Sequence, residues 1–214
     1  MDVLENRKRV SEASGFFLSD WTCGEQTHGC RVQLVGEQER GAGHAQLDHA
    51  FADTDSLITK EPGILLTAVF ADCVPLFFVD PVQHAIGIAH AGWKGTALQI
   101  AVRTVEAMRE AFASRSEDLL AAIGPSIGAC CYEVDDHVIQ QIDMPAPRPT
   151  VSGRYMLDLK EVNRQFMIRA GIKPNNIEQS SYCTSCNTDL FYSHRGENGR
   201  TGRMAGWIGI RRMR

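Results

Sequence analysis

The protein has 214 residues, of which 43% are hydrophobic and 22% are charged, a composition typical of a globular domain rather than of a disordered or fibrous chain. Its formal net charge of −4 and its scattered basic residues argue against a nucleic-acid partner, because binding a phosphate backbone takes a concentrated positive surface. The most apolar stretch, residues 64–79, is interrupted by Asp72 and Pro75 and is shorter than the roughly 20 residues of a membrane-spanning helix, so we expect no membrane segment.

The first predicted element is a charged N-terminal helix, which lacks the apolar core of an export signal. We therefore expect a cytoplasmic protein. Further along the chain, runs rich in Val, Ile, Leu and Phe predict three buried strands, at residues 63–70, 74–80 and 85–90. The short connection at residues 80–84 favours a hairpin between the last two strands.

Two helices are predicted after these strands. Over residues 98–112, apolar residues recur at spacings of three and four, which predicts a helix of about four turns. A proline-rich surface loop at residues 144–150 precedes a second helix over 159–170, which Asp158 can cap and Gly171 can end. This order predicts an α+β fold, a single domain in which mixed β-sheets form a sandwich flanked by helices.

The seven cysteines are expected to be thiols in a reducing cytosol, since no export signal is present. The adjacent Cys130 and Cys131 are interpreted as packing residues, because a free cysteine behaves as a small buried hydrophobe. Cys183 and Cys186 have the C-x-x-C spacing of redox and zinc motifs, yet no second C-x-x-C completes a four-cysteine site. A structural or incidental role is therefore favoured for this pair over a metal or redox role.

Cys73 and His90 are the first candidates for a functional site. Cys73 lies between two predicted strands, just before Pro75, which cannot donate a hydrogen bond to a sheet. His90 ends the third strand, and Gly92 and Gly95 follow it before a helix begins, a common setting for a ligand site. A hairpin would bring Cys73 near His90 on neighbouring strands. Each residue alone is equally well explained as part of the packed core.

His28 is the third candidate, because Gly29 after it lets the backbone turn. One cysteine and two histidines suffice for a catalytic zinc, which takes three protein ligands and leaves a fourth position for water or substrate. Spacing alone does not distinguish such a site from packed side chains. Surface roles are favoured for most of the other histidines, which are His44, His49, His84, His137 and His194.

Five stretches of the sequence carry a resemblance to a known family. They are residues 26–29 (Gln-Thr-His-Gly), 71–75 (Ala-Asp-Cys-Val-Pro), 89–95 (Ala-His-Ala-Gly-Trp-Lys-Gly), 122–128 (Ala-Ile-Gly-Pro-Ser-Ile-Gly) with Cys131 and Tyr132, and 191–195 (Phe-Tyr-Ser-His-Arg) with 201–203 (Thr-Gly-Arg). In this order they resemble the laccase-domain family, also called multicopper polyphenol oxidase, purine nucleoside phosphorylase and peptidoglycan editing factor. The match runs from about Asp20 to the C-terminus.

The resemblance implies a mixed-sheet α+β fold and a zinc enzyme. That enzyme would phosphorolyse purine nucleosides (adenosine, guanosine and methylthioadenosine) and deaminate adenosine. It implies that His28, Cys73 and His90 bind the zinc and act as the catalytic residues, because each occupies its own motif. A site of nitrogen and sulfur ligands also accepts copper, so Cu²⁺ is a possible alternative to Zn²⁺. The expected partners are a small-molecule purine nucleoside and phosphate, and the expected state is a monomer or a homodimer.

Phosphorolysis also requires cations that hold phosphate against the sugar. We assign Lys94, Arg195 and Arg203 to this role, the arginines for bidentate contacts and the lysine as a point charge. The alternative for all three is solvated surface charge.

Two features of the sequence depart from the family. Relatives carry a substantial N-terminal segment with a Gly-Gly turn and a Ser-Leu-Asn stretch, and neither occurs here, so we expect residues 1–214 to form a single catalytic domain of this type without that segment. Residues 193–198 read Ser-His-Arg-Gly-Glu-Asn where relatives usually have two arginines and an aspartate. This difference makes Arg195 the more secure phosphate contact, with Arg203 next.

Three other functions stay open at this point. Cys73 with His90 as its base would suit a cysteine hydrolase that cleaves an amide in a peptidoglycan precursor. Copper-dependent phenol oxidation would be a side activity, because a multicopper oxidase needs many histidines and the seven here include no H-x-H pair. In a non-catalytic small-molecule-binding module, Cys73 and His90 would merely pack.

Overall fold

The structure is a computed structural model that describes residues 3–145, 147 and 149–212. The elements in chain order are α1 (Val3–Ser14), β1 (Trp21–Cys23), β2 (Val32–Leu34), β3 (Ser56–Thr59), β4 (Leu65–Phe70), β5 (Val74–Asp80), β6 (Ala85–Ala91), α2 (Trp93–Ala97), α3 (Ile100–Phe112), β7 (Leu120–Ile123), β8 (Glu133–Val134), α4 (Asp136–Ile139), β9 (Tyr155–Met156), α5 (Leu159–Arg169), β10 (Ile177–Gln179) and β11 (Met204–Gly209). Short 3₁₀ turns occupy Leu18–Asp20, Glu37–Glu39, Leu47–His49, Ser116–Asp118 and Pro174–Asn176.

The described strands form three sheets, two of which mix parallel and antiparallel pairs. The largest has six strands in the order β10-β7-β5-β6-β3-β2, and a second has three in the order β1-β4-β11. β8 and β9 form a separate two-stranded pair. Leu66 and Phe70 of β4 pack against Ile86 and Ile88 of β6 in one apolar cluster, so the two larger sheets face each other. The predicted α+β arrangement of mixed sheets in a sandwich is therefore confirmed.

Helices cover the other face of the six-stranded sheet. Apolar residues of α3 and α5, including Val105, Met108 and Phe166, share a core cluster with Leu76 and Phe78 of β5. Burying these side chains removes their apolar surface from water, the main favourable contribution to folding. None of the helices in the described part of the chain is long and apolar enough to cross a membrane.

The predicted hairpin is confirmed, and it sets up the functional site. β5 and β6 pair antiparallel, in a register that places Pro75 opposite His90. The connection is closed by Asp80, whose carboxylate accepts hydrogen bonds from the backbone N–H groups of Val82 and Gln83, both at 2.9 Å. Every residue of β6 is buried, which fixes the position of His90 near its end.

The predicted helices are confirmed with one correction. The helix expected over 98–112 begins only at Ile100, because Gln99 adopts a left-handed conformation with φ of 59° and separates it from the short α2. α5 starts as expected, with the Asp158 carboxylate accepting a hydrogen bond from the backbone of Glu161 at 3.0 Å. The expected loop at 144–150 includes residues 146 and 148, which lie outside the described residues.

Candidate functional site

His28, Cys73 and His90 meet at the ends of three chain segments, and we call them the three-residue cluster. Cys73 lies in the bend between β4 and β5, His90 is the penultimate residue of β6, and His28 lies in the loop before β2. One potential ligand atom from each residue lies within 4.8 Å of the others. The two histidine rings meet edge to face, with centroids 4.8 Å apart. The structure thus brings together the three residues that the sequence selected.

Asp55 holds both histidines of the three-residue cluster from behind. Its buried carboxylate accepts a hydrogen bond from Nδ1 of His90 at 2.8 Å. It also accepts hydrogen bonds from the backbone N–H groups of His28 at 3.1 Å and of Gly29 at 2.7 Å. One carboxylate therefore fixes the ring of His90 and the loop that carries His28. Sequence analysis missed this residue, and the available clue was a charged side chain directly before the fully buried strand β3.

The electrostatics of the cluster favour a thiolate beside a charged imidazole when no metal is bound. Burial raises the pKa of the Cys73 thiol, but hydrogen bonds from His28 and His90 outweigh burial and lower the pKa to about 7. Burial lowers the pKa of His90, but its hydrogen bonds to Asp55 and Cys73 outweigh burial and raise the pKa to about 9. Burial also opposes ionisation of Asp55, yet the hydrogen bond from His90 leaves the pKa of Asp55 below its ordinary value.

The donor set fits a metal ion such as zinc. Zinc is bound by thiolate sulfur and imidazole nitrogen, and three protein ligands are the usual number at a catalytic zinc. With Nδ1 of His90 turned toward Asp55, its Nε2 is left for a metal, the carboxylate–histidine arrangement common behind metal ligands. Gly92 explains the close approach of the ligands, since a Cβ there would lie 2.8 Å from Cδ2 of His28 and 3.0 Å from Sγ of Cys73.

The three-residue cluster opens into a cavity of about 550 Å³. Two aromatic side chains, Trp93 and Tyr132, line this cavity together with the cationic Arg195 and Arg203. His194 also lines it, although sequence analysis favoured a surface role for that histidine. The cavity thus combines a potential metal site, aromatic surfaces and positive charge.

The three cations assigned to phosphate occupy different positions. Arg195 and Arg203 line the cavity, whereas Lys94 is exposed outside the lining, with its ammonium group 5.6 Å from the centre of the Trp93 ring. The structure therefore groups the two arginines with the three-residue cluster and leaves Lys94 apart from them.

Asp72 and Tyr132 anchor Arg195. The Asp72 carboxylate accepts hydrogen bonds from the backbone N–H of Arg195 at 2.7 Å and from the hydroxyl of Thr184 at 2.6 Å. The Arg195 guanidinium lies over the Tyr132 ring, 5.3 Å from its centre, and donates to the carbonyl of Glu133 at 3.3 Å. Burial, followed by the neighbouring Cys73 charge, raises the pKa of Tyr132 to about 12, so its phenol stays protonated.

The loop that departs from the family pattern is closed by Glu197. Its carboxylate accepts hydrogen bonds from the backbone N–H of Ser193 at 2.9 Å and from the hydroxyl of Thr201. These two bonds lower the pKa of Glu197. The bonds join the segment that presents Arg195 to the segment that presents Arg203.

Four other cysteines form a second group, which we call the four-cysteine cluster. The interpretation of Cys130 and Cys131 as packing residues was wrong, because Cys130 is exposed and the thiols of both contact Cys186, at 3.5 and 3.3 Å. The missing partners of Cys183 and Cys186 are supplied by this adjacent pair rather than by a second C-x-x-C. The sequence offered no clue, because 56 positions separate Cys130 from Cys186.

Two named proteins are similar to this chain in sequence along most of its length. The purine nucleoside phosphorylase YlmD of Geobacillus stearothermophilus is 44% identical over 217 residues, which cover 98% of this chain and 79% of the relative. The adenosine deaminase RL5 of an unknown prokaryotic organism is 33% identical, over 94% of this chain and 79% of the relative.

A solved structure and a family model agree with these matches. The crystal structure of the Bacillus licheniformis hypothetical protein YfiH superposes with a TM-score of 0.94 at 47% identity, covering 98% of this chain and 81% of that one. The family model described as "Multi-copper polyphenol oxidoreductase laccase" matches residues 1–211. The chain therefore belongs to this laccase-like family.

Proposed function

We propose that this protein is a metal-dependent enzyme of purine nucleosides, which phosphorolyses them to a free base and ribose 1-phosphate and also deaminates adenosine to inosine. The observation that carries the proposal is a single cavity lined by the three-residue cluster, Arg195 and Arg203. Relatives named purine nucleoside phosphorylase and adenosine deaminase support it.

In this proposal, His28, Cys73 and His90 hold a zinc ion. The ion would supply Lewis-acid chemistry, including activation of a water molecule for attack on the purine. Asp55 acts as a positioning residue, because its hydrogen bond keeps the Nδ1 proton of His90 in place and directs Nε2 toward the ligand site. Its bonds to the loop backbone hold His28 in the same geometry.

The remaining residues of the cavity bind and orient the substrate. Trp93 and Tyr132 offer flat apolar surfaces suited to stacking a purine base. Arg195 and Arg203 provide positive charge for phosphate, and the planar guanidinium matches a phosphate group in two hydrogen bonds. Lys94 contributes as a point charge outside the lining. Phosphate held near the sugar would attack the anomeric carbon as the bond to the base breaks.

Product analysis with adenosine, with and without phosphate, tests the proposal. Phosphorolysis yields adenine and ribose 1-phosphate only when phosphate is present, whereas deamination releases ammonia in either case and leaves inosine without phosphate, or inosine and hypoxanthine with it. We expect both products from the zinc-loaded protein and neither from His28→Ala, while His49→Ala, an exposed histidine outside the cavity lining, serves as the matched control. Absence of both products from zinc-loaded wild-type protein would reject the proposal.

The same preparations distinguish the alternative functions. Release of an amide product by metal-free protein would point to a cysteine hydrolase, and phenol oxidation that depends on copper would point to oxidase chemistry. Binding of adenosine without turnover, measured by calorimetry, would point to a binding module.

A further inference from the structure

The four-cysteine cluster joins two turns that lie far apart in the sequence. Cys130 and Cys131 lie in the turn at residues 129–131 after β7. Cys183 directly precedes the turn at residues 184–186 after β10, and Cys186 is the last residue of that turn. All four Sγ atoms lie within 4.8 Å of one another. The turn at 129–131 lets adjacent side chains point to one centre, because the backbone N–H groups of Cys131 and Tyr132 both donate to the carbonyl of Gly128 at 3.0 Å.

The spacing of the sulfurs suits a single tetrahedral ion. At a Zn–S distance of about 2.3 Å, tetrahedral geometry places neighbouring sulfurs about 3.8 Å apart. The closest contacts in the cluster, at 3.3 and 3.5 Å, lie just below that separation. A disulfide would join only two sulfurs, at about 2.05 Å, and would leave the convergence of the other two without a function.

The backbone around Cys183 supports a metal-binding sulfur. The N–H of Gly128 donates a hydrogen bond to Sγ of Cys183 at 3.2 Å, which stabilises negative charge on that sulfur. A Cβ at position 128 would lie 3.3 Å from Cβ of Cys183, so glycine allows this close approach.

The two turns are already held together by the backbone. Ser126 and Cys183 form an isolated β-bridge, and the N–H of Thr184 donates to the carbonyl of Ser126 at 3.0 Å. The Asn187 side chain donates to the carbonyl of Cys183 at 2.8 Å. The four thiols are therefore placed near one another by the fold, before any ion binds.

We propose that Cys130, Cys131, Cys183 and Cys186 together bind one structural zinc ion, separate from the ion of the three-residue cluster. Four thiolates complete a closed tetrahedral site with no position for water or substrate, the usual form of a structural zinc. Binding releases the thiol protons to solvent and changes no oxidation state.

The second zinc ion would also stabilise the cavity, because both turns that hold it contact residues of the cavity wall. The carbonyl of Cys131 accepts a hydrogen bond from the Arg195 guanidinium at 3.2 Å, and the next residue, Tyr132, lies beneath that guanidinium. On the other turn, Thr184 bonds to Asp72, which also binds the backbone of Arg195. An ion that fixes both turns would therefore brace the wall formed by Tyr132 and Arg195.

Metal content and thiol accessibility test this second site. Protein purified without chelators and dialysed against zinc should hold two equivalents per chain. The double variant Cys183→Ser/Cys186→Ser should hold one, and so should Cys73→Ser, whereas Cys23→Ser, outside both clusters, should hold two. Cobalt-substituted Cys73→Ser protein should retain the strong near-ultraviolet sulfur-to-cobalt absorption of a thiolate-rich site, a readout independent of turnover.

If the double variant does not fold, measurements on wild-type protein still show whether the four cysteines bind zinc. With zinc bound, Cys130, Cys131, Cys183 and Cys186 should resist maleimide labelling, and a chelator should expose them. Only one equivalent of zinc in wild-type protein, lost with Cys73→Ser, would overturn the second site, and so would mass-spectrometric detection of a Cys130–Cys186 or Cys131–Cys186 disulfide in the freshly purified protein. These outcomes leave the proposed nucleoside chemistry unaffected, so the two proposals fail separately.

Discussion

The three-residue cluster and the four-cysteine cluster differ in donors and in surroundings. The first mixes one sulfur with two imidazoles, is backed by the Asp55 carboxylate and faces a cavity of about 550 Å³. The second has four sulfurs, is backed by the backbone N–H of Gly128 and joins two turns. A mixed set of donors with an open side is typical of a catalytic metal site, whereas four sulfur donors are typical of a structural one. Neighbouring donor groups in one small fold are therefore suited to different tasks.

Loss of ligand thiols from one cluster or the other should distinguish the two clusters most clearly. Cys73→Ser should lower kcat/KM for adenosine at least about 100-fold, equal to about 2.7 kcal/mol of transition-state stabilisation, because an incomplete ligand set no longer holds the metal. The double variant Cys183→Ser/Cys186→Ser should change kcat less than about tenfold and should mainly raise KM. Steady-state kinetics on both proteins check this, and equal losses in kcat would show that both clusters serve the chemistry.

Asp55→Asn should affect only the three-residue cluster. A neutral amide cannot hold the Nδ1 proton of His90 as a carboxylate does, so zinc affinity at this cluster should fall about 10- to 100-fold. Competition with a fluorescent chelator measures the change, and the cobalt absorption of the four-cysteine cluster should stay constant. Asp53→Asn is the matched control, because asparagine tolerates the left-handed conformation at that position, where φ is 49°. Unchanged zinc affinity in Asp55→Asn would remove the positioning role.

Arg203→Ala should separate the two reactions within the cavity. Loss of one preorganised cation should raise the barrier to phosphorolysis by about 2 to 4 kcal/mol, while deamination, which needs no phosphate, stays largely intact. Rates of adenine and ammonia formation across a series of phosphate concentrations give the comparison, with the exposed Arg200→Ala as control. Equal loss of both reactions would place Arg203 in nucleoside binding, and no loss of either would return it to the solvated surface.

Substitution of Glu197, which closes the loop at residues 193–201, should change stability only slightly. Because hydrogen bonds lower its pKa in the folded protein, its charge stabilises the fold above the ordinary glutamate pKa, and this contribution is lost as the pH falls through the lowered value. The difference in Tm between wild type and Glu197→Gln should therefore be small, present at neutral pH and absent in acid. A difference that grows as the pH falls would contradict this assignment.

Local patterns predicted the strands, the hairpin and the two main helices, because each depends on residues close in sequence. The break at Gln99 was missed, since the apolar spacing continues across it and only the backbone shows a left-handed residue there. Motifs selected the residues of the three-residue cluster, yet Asp55 was overlooked, because its partners are set by β3 pairing with β6. The four-cysteine cluster depends on two turns brought together by the pairing of β7 with β10, which no local pattern encodes.

The hydrogen bonds of Asp72 to Thr184 and Arg195 span 112 and 123 positions, so both partners leave the ribosome long after Asp72. The three-residue cluster is complete once residue 90 has left the exit tunnel, whereas the second wall of the cavity arrives with the last part of the chain. Until then, the nascent chain carries the three ligand groups without the wall that Arg195 and Arg203 complete. The cavity is complete only after Arg195 and Arg203 have emerged and β11 has paired with β4.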